Sequence, residues 1–254
     1  MTLRRILAGL LLSVAASFWT GCNLPGRPHA GPEVPRPEEI HSFDELYSQN
    51  CAGCHGANGQ QGSAANLANP EYEAWIDDAS LRTVIEKGEK GSLMPAFALS
   101  QGGTLTASQI DVLVHGLRTR WGRPNALGSA SPPPYHAAGP GVASQGEATY
   151  LKACARCHGA TAEQPGIAGS ILDPSFLGLI NAQTLRTTIV AGRPDIGQPD
   201  WRNDVPGHEL TDAEVTDVTA WLTAQSSAYS SNRAVDGLAG SGHPVLIQPI
   251  AHEQ

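Results

Sequence analysis

Apolar side chains recur at helical spacing in two stretches of the chain that read alike. Ile110, Leu113, Val114 and Leu117 form one stripe; Val215, Val218, Trp221 and Leu222 form the other. Positions three and four apart share a helix face, so each stripe predicts an amphipathic helix. Each opens on a threonine suited to cap it: Thr106 with Gln109 three residues on, Thr211 with Glu214. That pairing is the side-chain pattern of a capping box. Two more helical segments precede each stripe. The first runs from Ser42 to Cys54 and again from Ser144 to Cys157. The second lies near 79–87 and near 182–191, with Gly88 and Gly192 as natural stops. No alternating strand pattern competes, and the fold class predicted is mainly α.

These segments belong to an internal repeat. Cys51-Ala-Gly-Cys54-His55 returns as Cys154-Ala-Arg-Cys157-His158. Leu81-Arg82-Thr83-Val84-Ile85 returns as Leu185-Arg186-Thr187-Thr188-Ile189, and Leu105-Thr106 as Leu210-Thr211. The offset drifts slowly, as single insertions in loops make it do. Proline-rich stretches bound the repeats, and Pro132-Pro133-Pro134 lies at the centre of the second. The organisation predicted is a leader at 1–21, a tether at 22–41, helical domains at 42–121 and 142–226 joined by a Pro-rich linker at 122–141, and an irregular tail at 227–254. A short apolar run, Pro244 to Ile250, lies within that tail.

Composition adds a constraint on the cores. Hydrophobic residues make up 41% of the 254 and aromatics only 6%, which is lean for two small domains unless something else fills them. The formal net charge is −8, or −10 without Arg4 and Arg5. Such a surface argues against nucleic acid as a partner. It leaves two readings open, docking to a basic protein surface or a merely solvated acidic one.

Arg4 and Arg5 head an apolar run from Ile6 to Trp19, too short to span a bilayer with these flanks and suited to an export signal. It ends Trp19-Thr20-Gly21-Cys22, which resembles a bacterial lipoprotein signal with cleavage before a lipidated Cys22. Trp19 departs from that pattern, which normally has an aliphatic residue there. Ordinary cleavage nearby, leaving Cys22 a free thiol, is the alternative. Acyl chains on Cys22 would hold the protein at a membrane surface rather than across it. The localisation expected is the periplasmic side of a bacterial membrane.

The other four cysteines all fall in the two C-x-x-C-H motifs. With 5 Cys and 9 His in the chain, a given cysteine acquires Cys at +3 and His at +4 by chance only about once in a thousand placements. On one helical turn, positions i, i+3 and i+4 share a face. Cys51 and Cys54, and likewise Cys154 and Cys157, can form thioethers to haem vinyl groups, while His55 and His158 meet the iron. Zinc wants four ligands and each repeat has too few; a redox dithiol needs no following histidine. Two covalent haem c groups are the cofactors expected.

With Leu93-Met94-Pro95-Ala96-Phe97 before its last helix, the chain resembles the small class I cytochrome c domains across both repeats. The resemblance implies that Met94 supplies the second axial ligand of the first haem. In the second repeat the matching stretch is Gly197-Gln198-Pro199-Asp200-Trp201: the loop is kept and the thioether is not. Gln198, His208 or an open position are the three candidates there. The family also crosses its first and last helices at a glycine–aromatic contact. Gly146 and Trp221 fit it, whereas Phe43 and Gly116 have the two roles exchanged. Asp200 and His208 are the acid and base nearest a second haem. His29, His41, His115, His136, His243 and His252 read as solvated or surface residues.

The resemblance implies an electron carrier rather than an enzyme. Its expected partners are a redox donor and acceptor, and it would act as a free carrier or within a respiratory or photosynthetic membrane redox complex. The alternative is a haem protein whose second haem, lacking methionine, binds or turns over a small ligand such as peroxide or NO.

Overall fold

The computed structural model describes residues 31 and 34–239. The leader, Cys22 and the Pro244–Ile250 run lie outside them. The chain divides into two units, Met1–Glu39 and Ile40–Gln254. The described part of the first holds one 3-10 turn, Pro37–Glu39, where Arg36 pairs with Glu39.

The second unit is helical, and among the described residues it has isolated bridges but no strand. Its first half contains α1 (Phe43–Asn50), α2 (Ala52–His55), α3 (Pro70–Trp75), α4 (Asp78–Lys87) and α5 (Ala107–Trp121). Its second half repeats the order with α6 (Ala143–Ala153), α7 (Ala155–His158), α8 (Pro174–Leu177), α9 (Ala182–Ala191) and α10 (Asp212–Ala239). Local chemistry sets these boundaries. Asn69, Asp77, Asp173 and Asn181 accept backbone N–H groups at the starts of α3, α4, α8 and α9. Thr106 and Gln109 close the expected capping box at α5, and Thr211 with Glu214 does the same at α10. Gly88 and Gly192 end α4 and α9 with φ of 67° and 69°, where a side chain would be strained. The expected stripes face inward: Ile110, Leu113 and Leu117 are buried in one half, Val215, Val218 and Leu222 in the other.

The last helix differs from the sequence reading, which placed irregular chain from 227. α10 continues to Ala239. No proline or glycine interrupts it before Gly237 and alanine recurs along it, so propagating an established helix there costs little.

The linker is pinned rather than slack. Its prolines have no N–H to offer, but their carbonyls accept. Trp75 Nε1 donates to Pro133 O at 2.7 Å from the first half. Arg186, buried in the second half, donates to Pro134 O at 2.7 Å and to Thr216 Oγ1 at 3.0 Å.

The glycine–aromatic contact occurs in both halves with its members exchanged. A Cβ on Gly116 would collide with the Phe43 ring, and one on Gly146 with Asp217 O and the Trp221 side chain. The Phe43 ring also meets Tyr47 and Trp121, with centroids 5.6 and 6.0 Å away. Phe43→Gly is expected to remove about 2–4 kcal/mol of stability by leaving a gap that α5 cannot fill. Thermal unfolding measures this directly, and an unchanged melting temperature would rule the contact out as a source of stability.

Candidate functional site

Each C-x-x-C-H motif sits where one helix breaks and a single new turn begins. Cys51 follows α1, and Cys54 N and His55 N bond back to Cys51 O at 3.2 and 3.0 Å. Cys157 N and His158 N bond back to Cys154 O at 3.1 and 3.0 Å. Two thiols and an imidazole are thus presented from one turn, as the spacing predicts. The turn then reverses at Gly56 and Gly159, with φ of 82° and 87°; a Cβ at either would strike the Gln60 or Gln164 carbonyl. Tyr47 and Tyr150 brace the reversal, each hydroxyl donating to Gly56 O or Gly159 O at 2.7 Å.

The same turns orient the histidines. His55 Nδ1 lies 2.8 Å from Ala65 O, and His158 Nδ1 lies 3.0 Å from Gly169 O. A carbonyl only accepts, so Nδ1 carries the proton and Nε2 keeps its lone pair for a metal. Burial lowers the His55 pKa; the Ala65 carbonyl opposes this and the Arg193 charge adds to it. Both effects of burial and charge keep the ring neutral, the form that ligates.

The donor set fits covalent haem better than its rivals. The four cysteines of the motifs are free of disulfides. Burial pushes Cys51 and Cys154 up to about 12, with the Cys54 thiol adding at the first and Asp204 and then Cys157 at the second. A redox dithiol needs the opposite, a thiol of depressed pKa. Among the described residues no group of three or more His, Cys, Asp or Glu converges as a bare metal site.

The loops before the last helices share one register. Glu89 N donates to Met94 O at 3.0 Å, and Arg193 N to Gln198 O at 3.0 Å. Leu105 N donates to Phe97 O at 2.8 Å, and Leu210 N to Trp201 O at 2.9 Å. Gln198 therefore occupies the backbone position of Met94, and both side chains are half-buried. Gln198 Nε2 lies 3.4 Å from Thr188 O, which leaves Oε1 as its available donor atom. The other candidates near the second site are engaged. His208 Nε2 lies 2.9 Å from Glu214 Oε1 at the exposed start of α10, and Asp200 pairs with Arg202.

Several residues of these sites escaped the sequence reading. The tyrosine brace was within reach, since Tyr47 and Tyr150 each stand four residues before a motif. The carbonyls of Ala65 and Gly169 carry no side-chain signal at all. Buried acids were also missed. Glu73, with its side chain fully buried, meets Arg118 Nη1 at 2.9 Å, and its Oε1 has no partner. Arg118 ties α5 to the start of α4 through Asp78 and to the end of α3 through Ile76 O. Burial outweighs the Arg118 charge and raises Glu73 from 4.5 to about 7. An acid raised on folding binds more protons in the native state, so its contribution is full below its unfolded value and is lost as pH rises to about 7. Unfolding free energy is thus expected to fall by on the order of 2 kcal/mol between pH 4.5 and 7.5. Denaturant titration should find a flatter profile in Glu73→Gln; an identical slope would refute the assignment.

A family profile described as cytochrome c oxidase, cbb3-type, subunit III matches residues 38–115 and again 141–222. The Cbb3-type cytochrome c oxidase subunit CcoP of Azospirillum sp. (strain B510) is 26% identical over 196 residues, which cover 69% of this chain and 58% of that protein. The chain thus spans less than two thirds of that relative's length. Among solved structures, a chain of the Kuenenia stuttgartiensis reducing HAO-like protein complex aligns over 76% of this chain and 99% of its own, at 19% identity and a TM-score of 0.42.

Proposed function

The chain belongs to the cbb3-type cytochrome c oxidase subunit III family, and from that premise we propose that it is a dihaem electron carrier rather than an enzyme. Haem, when held at each motif, supplies reversible one-electron chemistry at its iron. Cys51 and Cys54 would hold the first group and Cys154 and Cys157 the second. His55 and His158, with their tautomers set by the Ala65 and Gly169 carbonyls, would offer Nε2 to the iron. Met94 would complete the first site. Gln198 is favoured for the second, because it stands in the Met94 position while His208 is bound to Glu214. Trp201, Tyr150 and the α10 stripe exclude water from the second core, as Tyr47 and the α5 stripe do from the first.

The observation that carries this reading is the duplication of the whole local arrangement, thiols, histidine, carbonyl partner and tyrosine brace, in one chain. The setting proposed is the periplasmic side of a bacterial membrane, with a lipid anchor at Cys22, beside a redox donor and acceptor in a respiratory or photosynthetic complex. No described helix is long and apolar enough to cross a membrane. A tether at the surface would raise the effective concentration near such partners.

The test is a haem count with a potentiometric titration on the full chain. Two haems per chain, reduced in two separate one-electron steps and without peroxidase turnover, are expected. One haem, or turnover well above that of free haem, would overturn the reading. A second reading, small-ligand binding or turnover of peroxide or NO at the second haem, draws its support from the missing thioether. Asp200 and His208 argue against turnover, since each is held by its own partner rather than standing ready as an acid or base.

A further inference from the structure

The two halves meet through a contact that reaches the first histidine. The turn after α9 inserts Arg193 and Asp195 against the loop 61–66 of the first half. Arg193 Nη2 donates to Gly62 O at 2.9 Å, and Gln61 N donates to Asp195 Oδ2 at 2.7 Å. Asn66 also hydrogen-bonds Asp195. Arg193 closes on Asp195 through Nε and Nη2 at 2.9 and 2.8 Å. Both side chains are sequestered, at 10% and 1% exposure. The loop they grip is the one that orients the ligand. It carries Ala65 O, the partner of His55 Nδ1, and a Cβ at Gly62 would strike Cys54 O and His55 C. Nearby, buried Asn69 donates to Ala191 O at 2.7 Å across the same junction.

The reciprocal contact is chemically different. Glu89 stands in the first half where Arg193 stands in the second. It and Lys90 O accept from the Asn181 amide, at 3.2 and 2.9 Å. Among the described residues, a sequestered ion pair from the other half therefore reaches the first site alone.

We propose that Arg193 and Asp195 are positioning residues for the first haem: they hold the loop that aims His55, and their opposed charges set its reduction potential from across the domain junction. This rests on the dihaem reading. The sign of each charge follows from electrostatics, since reduction removes one positive charge from the iron. Arg193 favours the reduced state and Asp195 the oxidised state. Asp195 is held ionised at about 2, chiefly by its hydrogen bond to Arg193.

The test is potentiometry of the full chain, following the absorption that marks methionine-ligated ferric haem, on Arg193→Gln, Asp195→Asn and the double variant. Arg193→Gln is expected to lower the first potential and Asp195→Asn to raise it. Each should change the reduced-to-oxidised ratio at the wild-type midpoint by roughly threefold or more, and the double variant should return toward wild type. A mere brace would move both single variants in one direction, with the double variant no better; that result, or no shift, overturns the proposal. If one variant fails to fold, the sign in the other decides. A wild-type chain with fewer than two haems overturns the dihaem reading, and overturns this proposal with it where the methionine-ligated absorption is missing, whereas that absorption without opposed shifts overturns this proposal alone.

Discussion

In a Met94→Ala chain, one haem loses on the order of 100 mV of reduction potential, within the ~0.8 V range that axial ligands command. The same haem becomes open to carbon monoxide when reduced. The sequence holds two methionines, Met1 and Met94. Thioether sulfur is soft and favours ferrous iron, so its loss favours the ferric state. The loop that carries Met94 is independently braced. Ser92 Oγ accepts from Met94 N at 3.1 Å, Glu89 N donates to Met94 O at 3.0 Å, and Leu105 N secures Phe97 O. The alanine variant should therefore keep its fold and change its ligand. A redox titration with visible spectra reads both effects. If neither potential moves, Met94 is a packing residue and the first site takes its sixth ligand elsewhere.

What could be read in the sequence is what has a periodic or spaced side-chain signature. The α5 and α10 stripes, the Thr106 and Thr211 caps and the stops at Gly88 and Gly192 all have one. The exchange of Phe43 with Gly116 against Gly146 with Trp221 was legible too, because a contact that conserves volume leaves complementary residues at aligned positions. Backbone acceptors leave no such trace. Nothing in Ala65 or Gly169 marks the carbonyl that sets a histidine tautomer, and nothing in Gly62 marks the partner of Arg193. Contacts between the halves were equally silent, since Asn69 and Ala191 lie 122 positions apart and belong to different copies of the repeat. The extent of α10 was missed for another reason: Ser- and Ala-rich chain has no apolar stripe to read, and helix propagation there depends on the helix already formed.

The second site gives the complementary expectation, and it separates a weak, displaceable sixth ligand from an open position or a firm one. Reduced wild-type chain should bind carbon monoxide at about half its haem, and Gln198→Met should abolish that binding and raise the second potential toward the first. The register supports a clean exchange. Arg193 and Gln198 each donate a backbone N–H to the other's carbonyl at 3.0 Å, so the turn is closed through main chain and does not depend on the side chain at 198. Losing the Gln198 amide removes one long bond to Thr188 O, a small cost beside the gain of an iron–sulfur ligand. An amide oxygen is a weak, hard ligand, readily displaced from ferrous iron by carbon monoxide. The Gln198→Ala variant sharpens the test, because carbon monoxide should then bind faster than in wild type if the amide had been competing. Equal rates would mean that the position is open. No binding in any variant would mean that a firmer ligand holds the second iron, and His208 would then have to leave Glu214 to be that ligand.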